Sequence, residues 1–195
     1  SLRTTGRRHF YHPNYGRLER LGRLAGLQIP RRSRSAIFNT HQKMTQHQPL
    51  FLVGAAKAGT TSLAMALAAH PGIAELAIKE PGHYCRDLHE TQFSEAYTKL
   101  LAFDEARYFQ QSTLSQRHIA FVASAENYRK LQLQSAREQP EARYVLDAST
   151  AYLYSTTAAA EIHAAHPQAK IIVTLRNPIS RAYSHYNMAR KYGME

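Results

Sequence analysis

Cysteine is nearly missing from this chain: Cys85 is the only one in 195 residues. That excludes an internal disulfide and suits a reducing compartment. Long hydrophobic runs are missing too. The longest apolar stretches, residues 63–69 and 171–175, fall far short of the roughly 20 residues that a membrane span needs. Residues 1–30 are studded with arginine and have no apolar h-region, so they do not read as a secretory signal. There is no internal repeat, no low-complexity tract and no cluster with metal-ligand spacing. These absences predict a soluble, cytoplasmic protein, long enough for one domain with a sizeable core.

Acidic residues are scarce where basic ones gather. Residues 1–43 hold ten Lys/Arg against a single acid, Glu19, so +9 of the formal +11 charge sits there. The rest of the chain is close to balanced. A basic arm can attract nucleic acid or an acidic membrane surface. The more expected reading is a disordered, arginine-rich extension with no core to join. The composition changes abruptly at Met44, which also fits a native start at that residue. We therefore divide the chain into a basic extension, 1–48, and a domain, 49–195.

From Pro49 onward, strand-like and helix-like segments alternate. Residues 50–53 form a short apolar run that ends at Gly54 and reads as a buried strand. Residues 60–69 follow with good helix formers and an apolar stripe of Leu63, Ala66 and Leu67. His70-Pro71-Gly72 stops that helix. Residues 73–76, 144–146 and 170–175 read as further strands; 93–101, 123–136 and 156–165 read as helices. Asn177-Pro178 opens a last helix through about Lys191, with Asn as N-cap and Pro in the first turn. Alternating β and α elements imply a parallel sheet with helices on both faces. Ligands of such sheets sit outside the carboxyl ends of the strands.

Three constellations fall at that edge. The first is 51-FLVGAAKAGTTSLAMAL-67. It has the two glycines of a triphosphate-binding loop, but Thr60 stands where the lysine belongs and Lys57 lies inside the turn. Helix N-terminal N–H groups, the hydroxyls of Thr60, Thr61 and Ser62, and the missing Cβ of Gly59 all favour a bound anion. A strand-to-helix turn of no functional meaning has similar residues, and so does a triphosphate loop that has lost its lysine. The second is 171-IIVTLRNPISRAYSHYNMAR-190, where Arg176 at a strand end and Ser184 in the next helix can converge on one phosphate. A helix-capping Arg and a solvent-facing Ser is the plain alternative. The third is 79-KEPGHY-84, where Pro81 holds Glu80 extended and a carboxylate in the cleft could serve as a general base. By itself it reads more simply as a solvated turn.

Together these segments resemble the sulfotransferases that use 3′-phosphoadenosine 5′-phosphosulfate (PAPS), in particular the bacterial and heparan-sulfate-type carbohydrate branch. The blocks that carry the resemblance are 51-FLVGAAKAGTTSL-63, 68-AAHPGI-73 leading into 79-KEPGHY-84, 146-LDASTAYL-153 and 171-IIVTLRNPISRAYSHY-186. The resemblance implies an α/β fold, a P-loop-type parallel sheet flanked by helices, truncated at the C-terminus relative to the family. It implies that Lys57 contacts the 5′-phosphosulfate, with Ala58, Gly59, Thr60, Thr61 and Ser62 cradling the 5′-phosphate. Arg176 and Ser184 would hold the 3′-phosphate, and Glu80 would take the acceptor proton. It further implies PAPS as co-substrate without a metal, a carbohydrate acceptor bearing a hydroxyl or amine, and in-line displacement at sulfur.

The chain departs from the family pattern at several positions. Ala58 replaces a common Gly or Ser, and Asp147 replaces a frequent Glu. His83 and Tyr84 stand where Phe pairs are frequent, so acceptor contacts there are expected to differ. His163 and His166 are expected to be exposed helix residues. A P-loop nucleotide kinase or NTPase is the alternative enzyme, disfavoured by the absent lysine after Gly59 and by the Arg176/Ser184 pair. A non-enzymatic binder acting through the basic arm is the third reading.

Overall fold

The structure is a computed structural model that describes residues 47–88 and 93–194. The proposed 1–48 extension therefore lies almost wholly outside the described residues. Its last residue, Gln48, opens the first strand instead.

The central sheet is parallel, with strands in the order β2-β5-β1-β6. These are β1 (Gln48–Leu52), β2 (Ile73–Glu75), β5 (Tyr144–Asp147) and β6 (Lys170–Ile172). Register runs Leu50 to Leu146 on one side of β1 and Phe51 to Ile171 on the other. A two-stranded parallel ladder, β3 (Ile78–Glu80) with β4 (Arg117–Ile119), lies apart from it. The helices are α1 (Thr60–Ala68), α2 (Glu95–Leu101), α3 (Glu105–Tyr108), α4 (Ala125–Glu138), α5 (Ala158–Ala165) and α6 (Pro178–Tyr192), with a 3₁₀ turn at Thr150–Leu153.

Two-residue alternation along the strands makes two cores, because successive side chains point to opposite faces. Leu50, Leu52, Ile73 and Leu146 pack on α1 through Ala64, Leu63 and Leu67. Phe51, Ala74 and Val145 face the other way, onto Tyr128 and Leu131 of α4 and Ala158 and Ile162 of α5. Phe51 and Leu52 are wholly buried, each contributing about 1.5–3 kcal/mol relative to exposure. The expected stripe on α1 is corrected at one position: Ala66 is exposed, and Thr60 and Ala64 are the buried residues. Ala64 takes that place, in one buried cluster with Leu146 and Ala148.

β1 and β5 are neighbours whose connections leave in opposite directions, to β2 beyond β5 and to β6 beyond β1. The crevice at their carboxyl ends is the topological switch point, the usual ligand position in an open α/β sheet. The strand expected over 170–175 is paired only through Ile172. Beyond it the chain follows β1 through single bonds, Ala55 N–H to Thr174 O and Thr174 N–H to Gly54 O. β6 is an edge strand; Ile171, and Val173 and Leu175 after it, are exposed, and α6 buries no residue. Among the described residues, no helix is long and apolar enough to cross a membrane.

Candidate functional site

The loop after β1 folds as a turn onto the N-terminus of α1. Lys57 takes left-handed backbone (φ 67°), a conformation uncommon outside glycine. Gly59, also left-handed at φ 90°, is the N-cap and no side chain caps this helix end. A Cβ on Gly59 would meet nothing within 4 Å, so the loop is open above the helix terminus. Thr60 is buried, whereas Thr61 and Ser62 are exposed beside it. Among the described residues no carboxylate pairs with the Lys57 ammonium. An uncapped helix end, adjacent hydroxyls and an unneutralised lysine make an anion-accepting cradle. Such donors suit a phosphate or sulfate group.

The strand-end arginine reaches this loop. Arg176 Nη1 donates to the Lys57 carbonyl at 3.2 Å, joining segments 119 residues apart. It is delivered by the pairing of β6 along β1, and the helix after it is fixed by its cap. Asn177 Oδ1 accepts from the N–H groups of Ile179 and Ser180, with Pro178 at the first position. Ser184 is half-buried in the second turn of α6, and no hydrogen bond joins it to Arg176 or to the loop.

Glu80 ends β3 and is nearly buried, with 10% of its side chain exposed. Its backbone carbonyl accepts from Ala120 N–H, so β4 fixes the main chain. Its carboxylate is held from the segment after β5. Thr150 N–H and Oγ1 both donate to Oε2, at 3.2 and 2.8 Å. Lys79 Nζ donates to Oε1 at 2.7 Å, and His118 Nε2 lies 3.6 Å from the same oxygen. The ring of His118 is largely exposed, yet desolvation by neighbouring protein and the Lys79 ammonium lower its pKa, against the pull of Glu80. The turn that carries Thr150 also abuts the loop after β1. A Cβ on Gly54 (φ 128°) would stand 3.2 Å from the Thr150 carbonyl and 3.1 Å from Leu153 Cβ. Glycine is required at that close approach.

Loop 80–88 is stapled to segment 147–157 in two further places. Gly82 N–H donates to Ser149 Oγ, whose hydroxyl donates to Asp147 Oδ1 at 2.6 Å. Asp87 accepts from Ser155 Oγ, from Thr156 N–H and Oγ1, and from Thr157 Oγ1. Those bonds, Ser155 foremost, hold its carboxyl well below the usual range. Asp147, which replaces a frequent Glu of the family pattern, is fully engaged in the core. Oδ1 takes Ser149 N–H and Oγ; Oδ2 takes the hydroxyls of Tyr128 and Tyr152 at 2.9 and 2.7 Å. Burial raises its pKa to about 6 despite these bonds.

His83 and Tyr84, where acceptor contacts were expected to differ, face the core. His83 Nδ1 bonds to Val122 O at 2.7 Å, and its ring stacks on Tyr128 at 4.3 Å. Both residues are only 6% exposed, because the turn at Gly82 points the next two side chains inward. His166 is not an exposed helix residue. It follows α5, where Nε2 pairs with Tyr84 OH at 2.9 Å and its ring lies 6.0 Å from that of Phe51. His163 is exposed, as expected. Sequence reasoning named Glu80 but missed Thr150, Lys79 and His118 as its neighbours. Thr150 stood in a hydroxyl-rich block; nothing around His118 signals a site.

Fold and site define an α/β protein with an anion-accepting loop at a sheet switch point and a buried, hydrogen-bonded carboxylate beside it. A model of the Sulfotransferase family matches residues 49–194, and the chain belongs to that family. It is 29% identical over 155 residues to human carbohydrate sulfotransferase 15, covering 70% of this chain and 26% of that protein. The crystal structure of a sulfotransferase from Alicyclobacillus acidocaldarius superposes with a TM-score of 0.58 at 29% identity, over 75% of this chain and 51% of that one. The chain thus spans about a quarter of the curated relative and about half of the solved one.

Proposed function

We propose that the protein transfers a sulfuryl group from PAPS to a hydroxyl or amine, with a carbohydrate as acceptor. The observation that carries this reading is the contact of Arg176 with the Lys57 carbonyl. It sets a guanidinium from a distant segment beside the open end of α1, giving two separate anion-holding groups at one edge. A contiguous triphosphate would call for a lysine after Gly59, where this chain has Thr60. A nucleotide with a 3′-phosphate and a 5′-phosphosulfate calls for two separate groups. The human relative's name supports a carbohydrate acceptor.

PAPS is a substrate here and supplies an activated sulfuryl group on a phosphosulfate anhydride. In this reading Ala58, Gly59, Thr60, Thr61 and Ser62 hold the 5′-phosphate, and Arg176 and Ser184 hold the 3′-phosphate. Lys57 stabilises negative charge growing on the bridging oxygen, and Glu80 takes the acceptor proton. Positioning and fixed charge do the rest. Cys85 is buried and its pKa is pushed up to about 12 by burial. A cytoplasmic location is part of the proposal, resting on the single cysteine of the sequence.

Thermal shift tests the donor site. Selective binding of 3′,5′-adenosine bisphosphate to the folded protein is expected to raise the melting temperature, by up to about 2.7 kcal/mol of stability at a hundredfold excess over Kd. ATP with magnesium should raise it much less. A larger shift with ATP would overturn the reading in favour of a nucleotide kinase or NTPase. Labelled-sulfate transfer from PAPS onto desulfated polysaccharides, simple sugars and tyrosine peptides then identifies the acceptor class.

A further inference from the structure

Lone pairs on the Glu80 carboxylate can be counted. Two oxygens offer about four acceptor sites, and three are filled. Thr150 N–H and Oγ1 occupy both sites of Oε2. Lys79 takes one site of Oε1, and His118, at 3.6 Å, is too far to fill the other. One lone pair is left, and it is on Oε1.

We propose that Thr150 is a positioning residue for sulfuryl transfer, reserving Oε1 of Glu80 as the atom that receives the acceptor proton. The proposal rests on Glu80 being the general base. In the step itself the acceptor O–H bond breaks and its proton goes to Oε1. The acceptor oxygen forms a bond to sulfur. The bond from sulfur to the bridging oxygen breaks, and the bisphosphate leaves with the electron pair.

The fold gives Thr150 this task. It opens the 3₁₀ turn after β5, at the switch point, and the turn touches both halves of the site. Its carbonyl lies against Gly54 at the start of the phosphate loop, and its N–H and hydroxyl hold Glu80. One residue therefore sets the carboxylate relative to the donor loop. A carboxylate without the Thr150 hydroxyl could turn about its last torsion and present either oxygen. Near-attack geometry would then be sampled less often.

The test uses the full chain with Thr150→Val, which keeps the shape and lacks the donor, and Thr150→Ser, which restores the hydroxyl. Labelled-sulfate transfer from PAPS to desulfated chondroitin is the probe reaction. Hydrolysis of PAPS, with water in the acceptor's place, supplies the rate if that polysaccharide is not turned over. Thr150→Val is expected to lower kcat by at least about tenfold. The KM and the affinity for 3′,5′-adenosine bisphosphate should stay within about twofold of wild type. Thr150→Ser should recover most of the rate, and Thr150→Val should add nothing in a Glu80→Gln background. Full turnover by Thr150→Val, or equal loss in Val and Ser, overturns the positioning role while leaving Glu80 as base. Full turnover by Glu80→Gln overturns the base reading itself, and the proposal with it.

Discussion

Four donors converge on Asp147, and burial still outweighs them, lifting its pKa from an ordinary 3.8 to about 6. The folded state therefore binds more protons than the unfolded chain between those values. The stabilising contribution is fully present below about pH 3.8 and is lost as pH rises through about 6, roughly 3 kcal/mol in all at 1.36 per unit. Asp147→Asn should flatten that fall, since its carbonyl can still accept from Ser149 and its amide can donate to Tyr128 and Tyr152. Urea melts from pH 4 to 7 would show it, and an unchanged slope would contradict it. Asp147→Ala strands those donors and should cost about 1–3 kcal/mol for each left unpaired. For chemistry, Lys57→Ala and Glu80→Gln should each lower sulfuryl transfer at least about a hundredfold. Rates measured at saturating PAPS would decide this.

At the scale of elements, two loops and one helix start are held by side-chain bonds rather than by long strands. Gly82 illustrates how tightly. It is left-handed (φ 54°), and a Cβ there would run into the Phe121 ring, so a side chain at this position would both strain the backbone and displace that ring. The α6 N-terminus depends on Asn177, and Arg176 precedes it directly. Arg176→Ala is expected to weaken affinity for 3′,5′-adenosine bisphosphate more than it slows transfer. Asn177→Ala should cost about 1 kcal/mol of cap energy and loosen the same affinity several-fold by freeing the arginine's backbone. Calorimetric titration of both variants separates the two effects. A larger loss in kcat than in affinity for Arg176→Ala would remove it from the binding role.

Across the whole molecule, protection follows burial. α4 buries Tyr128, Leu131, Ser135 and Ala136, whereas α6 buries none. Amide exchange should accordingly be slowest in β1, β5 and α4 and fastest in α6. Bisphosphate should then slow exchange at residues 57–62 and 176–184. Slowing confined to 57–62 would leave Arg176 and Ser184 outside the site.

The sequence by itself determined the alternating order of strands and helices, the cap at Asn177 and the loop at Gly54. Each is written locally, as a two- or 3.6-residue period or as a turn residue that backbone sterics demand. The family was readable from four short blocks for the same reason. What lay between them was not. β4 has three residues, Arg117–Ile119, too few for a period, and α3 has four. The inward placement of His83 depends on the Val122 carbonyl, 39 residues later. Only the tertiary structure decided that Thr150 holds Glu80 across a 70-residue separation. It also decided that the Arg176 side chain ends on the Lys57 carbonyl. The Arg176 contact follows from the pairing of β6 along β1, and the Thr150 contact from the pairing of β2 with β5, continued by the bond from Ala148 N–H to Lys79 O; strand order is set by packing on two faces at once.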